Sequence, residues 1–209
     1  MAYQMRRDAA AQRERAAELV AVSETYGFPF WLGLGRTFHA AARVAAGERE
    51  AMADVLPGLV QSGGTGNRGG APGLFVIVAD AYLTAGQLTE ARGAVETGLA
   101  LSAQTGQPFM DAELHRLQGE ISLRTLDGPL SRVDWEQAAE ESFHRALDIA
   151  RAQEGKSLEL RATTSLARLW QRQGKRAEAR HLLAPIYAWF TEGFDTRDLI
   201  EAKALLEEL

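Results

Sequence analysis

Small and large residues recur at fixed offsets in the stretch 163–190, TTSLARLWQRQGKRAEARHLLAPIYAWF, and that recurrence leaves few folds open to the chain. Ala167 is followed in turn by Trp170, Gly174, Ala179, Leu183 and Ile186. Three residues turn a helix through about 300°, so Ala167 and Trp170 share one face. Gly174 is a natural C-terminal stop, and Ala179, Leu183 and Ile186 make one face of a second helix. Residues 75–98 repeat the spacing with Ala79, Tyr82, Gly86, Ala91, Val95 and Gly98. The repeating unit is a helical hairpin.

Carried along the chain, the pattern predicts a half-hairpin over 8–26, hairpins over 28–61, 72–105, 108–153 and 156–191, and a capping helix over 196–208. The first helix has little bulk beyond Leu19 and Val20. Gly27 ends it, and Pro29 suits the first turn of the next, where a missing N–H costs nothing. Gly-x-Pro-Phe stands at 27–30 and again at 106–109. Pro57 is expected to kink its helix. Residues 62–73, SGGTGNRGGAPG, break the pattern and read as a flexible loop. Asp134 reads as an N-cap, with Gln137 three residues on. Equivalent small positions are Ala40, Ala79, Gly119 and Ala167 on the first helices, and Met52, Ala91, Ala139 and Ala179 on the second. They lie 39, 40 and 48 residues apart in the first series and 39, 48 and 40 in the second. A period near 40 with small residues at helix contacts marks an α-solenoid. The expected fold is all-α, a single domain over 1–209 of antiparallel helical hairpins, about four repeats plus the capping helix.

Composition narrows the function classes. The chain is 46% hydrophobic and 24% charged, the balance of a folded protein. A net charge of −5 argues against nucleic acid as the main partner, since phosphate binding needs a basic face. There is no cysteine, which excludes disulfides, thiolate metal sites and cysteine nucleophiles and fits a reducing, cytoplasmic compartment. The first twenty residues are charged throughout, and the most apolar run, 74–83, is short and contains Asp80. Neither a signal peptide nor a membrane span is expected. Three lysines and one asparagine against abundant Ala, Arg and Gly point to a GC-rich bacterial genome.

On these residues the hairpins over 28–191 resemble tetratricopeptide (TPR) repeats. The second repeat, with Ala79, Tyr82, Gly86 and Ala91, is the best match; the first departs, having Arg43 where an aromatic is expected. The segment 156–209 is similar to the C-terminal end of large bacterial proteins that join a nucleotide-cyclase-like domain, a P-loop ATPase and a TPR array. The resemblance implies a non-catalytic protein-interaction or scaffold module of such a signalling protein, with a protein or peptide, or attached signalling domains, as partner. The alternative is a small-ligand-sensing receptor domain. No cyclase or ATPase residues fall within the 209, so no catalytic role carries over.

The chemistry-bearing motifs point the same way. In the glycine loop, Gly64 and Gly69 have phosphate-loop separation, but Gly70 and Ala71 stand where lysine and hydroxyl belong. Glu141 with His144, and Glu178 with His181, have the Glu-x-x-His spacing of di-iron bundles. Both pairs lie opposite the small-residue faces of their helices and should face solvent. His39 and His115 are isolated, and no Gly-x-Ser-x-Gly elbow occurs. No cofactor, metal or catalytic site is expected. In such solenoids the first helices line a concave groove. Its candidates are Thr37, Ala41 and Val44, then Val76, Asp80 and Leu83. Arg116, Glu120 and Leu123 follow, and finally Thr164, Arg168 and Gln171. The same residues are equally consistent with a plain solvated face. Chaperone-type TPR grooves clamp a terminal carboxylate with lysines and asparagines, and no lysine precedes Lys156.

The ends of an array need caps. Leu199, Leu205, Leu206 and Leu209 are expected to lie over Trp189 and Phe190, with Glu201, Lys203, Glu207 and Glu208 outside and Asp195 or Thr196 capping the helix. The 8–26 helix would be the second helix of a preceding hairpin. The N-terminal end is thus where the array would continue or where two copies would meet as a homodimer.

Overall fold

A computed structural model describes residues 6–64, 70–125 and 131–209. Among these residues there are ten α-helices and no strand. The chain divides into two compact units, residues 1–108 and 109–209.

The first unit begins with α1 (Ala9–Tyr26), whose first turn is capped by Asp8: its Oδ1 accepts from Ala11 N–H at 3.0 Å. Gly27 takes φ 68°, a left-handed conformation suited to glycine, and stops α1. Pro29 then opens α2 (Pro29–Ala45). A 3₁₀ turn (Arg49–Ala51) leads into α3 (Met52–Gly63), which runs on through Pro57. The second hairpin is α4 (Ala71–Ala85) and α5 (Leu88–Thr105). Each helix packs on its neighbour in the chain, and α2 also packs on α4, so the two hairpins stack.

Helices α2 and α3 meet backbone to backbone. A Cβ on Gly33 would lie 2.6 Å from Gly58 O and 2.6 Å from Ser62 N, and one on Gly58 would lie 2.6 Å from Thr37 Oγ1. Only glycine allows that approach. Arg43, in place of an aromatic, reaches sideways: its Nε–H donates to Glu48 at 2.7 Å, and Arg13 of α1 donates to the same carboxylate at 2.7 Å.

The second unit runs α6 (Asp111–Arg124), α7 (Arg132–Ala152), α8 (Lys156–Arg172), α9 (Arg176–Trp189) and α10 (Arg197–Glu208). Neighbours pair in sequence, and α8 also packs on both α6 and α10. At α6–α7 a Cβ on Gly119 would sit 2.4 Å from the Phe143 ring, so the missing methyl is the slot the ring fills. The fully buried Phe143 packs with Ala139, Leu166 and Leu169. Further along, Leu160, Ala167, Ala179, Leu183 and Ile186 close with Leu199, Ala202 and Leu205 of α10.

Three local expectations need correcting. Ser131, not Asp134, caps α7: the Ser131 hydroxyl accepts from Asp134 N–H at 3.3 Å, and Asp134 Oδ2 accepts from Ser131 N–H at 3.0 Å, a capping box. Thr196 occupies the N-cap position of α10, but its hydroxyl donates back to Gly193 O at 2.7 Å. Trp189 is not covered by α10 but 57% exposed. At about 100° per residue it points roughly 60° from Ile186 and 120° from Leu183, off the buried face.

Candidate functional site

Of the twelve groove candidates, Thr37, Ala41, Val44, Val76, Leu83 and Thr164 are buried and serve packing. The Thr37 hydroxyl lies 3.2 Å from both Gly33 O and Val55 O, and Thr164 donates to Leu160 O at 2.7 Å. For Thr37 the covering element is its hairpin partner α3, which supplies Val55 O and lies against it at Gly58. Asp80 is half-buried in the first unit.

In the second unit Arg116, Glu120, Leu123, Arg168 and Gln171 remain partly exposed. All but Arg116 border a groove of about 350 Å³ between α6, α8 and α10. Most of its polar groups pair with one another, and Arg116, donating to Glu120 at 3.3 Å, links them to a buried cluster beside the groove. Glu113, 2% exposed, accepts from Arg116 at 2.7 and 3.0 Å and pairs with Arg161 at 3.0 Å. Ser165 donates to Glu120 at 2.7 Å; Arg168 donates to Glu201 at 3.0 Å and Gln171 to Glu208 at 3.0 Å. Glu201, expected outside, is half-buried because Arg168 and Arg197 both reach it. These pairs fix the register of three helices.

A larger cleft, about 760 Å³, lies along α9. Leu182, Pro185, Ile186 and Trp189 form its apolar side, and Trp170 closes the α8 end. Arg151, Lys156 and Glu159 line it near Trp189, and Lys156 Nζ stands 6.0 Å from the Trp189 ring centroid. The sequence reading missed this cleft. Its signal was Ala177, His181, Pro185 and Trp189 at four-residue intervals, a second stripe on α9 beside the core face.

The remaining motifs are quickly placed. Glu141, His144, Glu178 and His181 are all exposed, and His144 lies 6.0 Å from the Trp170 ring. Among the described residues no three His, Asp or Glu side chains are grouped to hold a metal ion. His115 is buried, and its Nδ1–H donates to Gln118 Oε1 at 3.1 Å; burial, against that hydrogen bond, holds its pKa below the usual value. Residues 65–69 of the glycine loop lie outside the described residues, but the helix α3, not a strand, leads into it. No described helix is long and apolar enough to cross a membrane.

No family model matches the chain, and no curated protein matches it. Among solved structures it is similar to a variant of a Podosopora anserina protein, provisionally assigned as a kinesin light chain, with nearly identical TPR-like repeats. The two share 22% identity over 89% of this chain and 88% of that one, with a TM-score of 0.55. At that identity the likeness speaks to fold alone, and with the hairpin order it makes the chain an all-α, TPR-like α-solenoid.

Proposed function

We propose that the chain is a non-catalytic protein-interaction module, and that its partner or adjoining domain is a bacterial signalling ATPase or cyclase-like protein of the kind 156–209 resembles. The observation that carries this reading is the open, apolar cleft along α9 with the exposed indole of Trp189 at its rim. Exposed aromatic surface beside a pocket is what protein interfaces use as anchors. A small-ligand receptor would need polar groups converging on empty space. In the α6–α8–α10 groove they converge on one another instead, so a ligand would have to break Arg168–Glu201 and Gln171–Glu208 to enter.

The test places a photo-crosslinking residue at position 189 or 171 and analyses adducts formed in cells of the source organism. A protein adduct that includes a P-loop ATPase or cyclase-like chain is the expected result. Thermal shifts with a metabolite panel and no protein adduct would favour the receptor reading.

A further inference from the structure

The cleft along α9 is charged unevenly. Near Trp189 the Glu159 carboxylate, 7% exposed, holds two cations: Arg151 Nε–H donates to Oε1 at 3.0 Å and Lys156 Nζ to Oε2 at 2.8 Å. Burial alone would push this carboxyl up, but the two hydrogen bonds outweigh it and hold the group below its usual pKa, hence ionised at neutral pH. Two cations against one anion leave this end of the cleft one positive charge in excess. Most of their donors are unused, since arginine carries five N–H groups and an ammonium three. The carboxylate beneath them fixes where those donors point. The nearest acidic group on α9 itself, Glu178, stands about 16 Å away at 1.5 Å per residue. Between lie Leu182, Pro185 and Ile186.

We propose that this cleft docks a segment of a partner protein that is apolar along its length and carries an acidic side chain where it meets Arg151 and Lys156. This rests on the interaction-module reading above. Charge selects the occupant. A basic segment would meet the excess positive charge, and a wholly apolar one would strip water from two cations without replacing it. An acidic side chain accepts from both while its apolar neighbours cover Trp189.

Selection from a random-peptide phage library against the full chain, followed by fluorescence anisotropy of the recovered peptides, tests this. The expected peptides carry Asp or Glu beside Leu, Ile, Phe or Trp. Arg151→Gln and Lys156→Gln should each weaken them by roughly tenfold, as loss of a charged hydrogen bond does. Replacing the peptide's own acid by its amide should remove that sensitivity. Trp189→Ala should weaken binding, and Arg172→Glu, at the exposed rim of the other groove, should leave it unchanged. Each neutralisation leaves the second cation on Glu159, and the Trp189 and peptide substitutions do not touch the Glu159 pairings should a variant fold poorly. Peptides without acids, or indifferent to both neutralisations, overturn the charge selection while the interaction reading stands. Peptides lost with Arg172→Glu but kept with Trp189→Ala move the site to the other groove and overturn it too. Recovery of no peptide removes both.

Discussion

At the scale of single residues, glycine and histidine carry the sharpest consequences. Gly119 gives Phe143 its slot, so Gly119→Ala drives a methyl into a fully buried ring. Overpacking should cost about 1–3 kcal/mol, less the fraction of a kilocalorie that alanine gains in a helix, read as a lower urea midpoint. A gain in stability would show that the ring can retreat. His115 gives a pH signature. Its folded pKa is depressed chiefly by burial, so the unfolded chain binds the proton more readily. The contribution is fully present above the ordinary value near 6.5 and is lost as pH falls through the lower folded value. His115→Gln should therefore flatten the decline of stability just below pH 6.5, measured by urea melts across that range. His39, lowered by burial and by Arg13 and Arg43, has the same sign in the first unit.

At the scale of elements, the capping helix and the caps decide. Removing 197–209 strips Leu199 and Leu205 from the core they share with Leu183 and Ile186. Two buried leucines at roughly 1.5–3 kcal/mol each should make this deletion the costlier one. Removing 1–15 takes from α1 only Gln12 among its buried residues, with its hydrogen bond to Phe38 O at 3.0 Å. Thermal melts in which the N-terminal deletion does more damage would contradict this account. Ser131→Ala should cost about 0.5–2 kcal/mol, with fraying confined to the start of α7 seen as faster amide exchange there. All eight small positions that set the period are buried, which is why hairpins could be read from spacing: contact geometry repeats, and so must residue size. Where contact used a different device, the reading slipped. Gly33 and Gly58, which the spacing did not single out, bring the backbones of α2 and α3 together in the hairpin that lacks the aromatic filler. The groove candidates divided for a similar reason. Counting along a helix gives a direction but not what covers it, and six of the twelve are buried. The cleft needed three helices to exist at all, so no one stretch of sequence announced it.

At the scale of the whole molecule, each unit has its own stacked hairpins and its own buried interior. A fragment of 109–209 should therefore be helical and melt cooperatively by circular dichroism, and a gradual melt would show that its core is not self-sufficient. The glycine contacts have a mechanical consequence as well. Gly119 and Phe143 act as slot and key, and Gly33, Gly58 and Ser62 as a dovetail. Helices joined that way cannot slide by a turn without forcing a ring or a backbone through solid structure. Pulled along its length, each unit should therefore yield first at contacts that lack such a lock, while α2–α3 and α6–α7 hold as blocks.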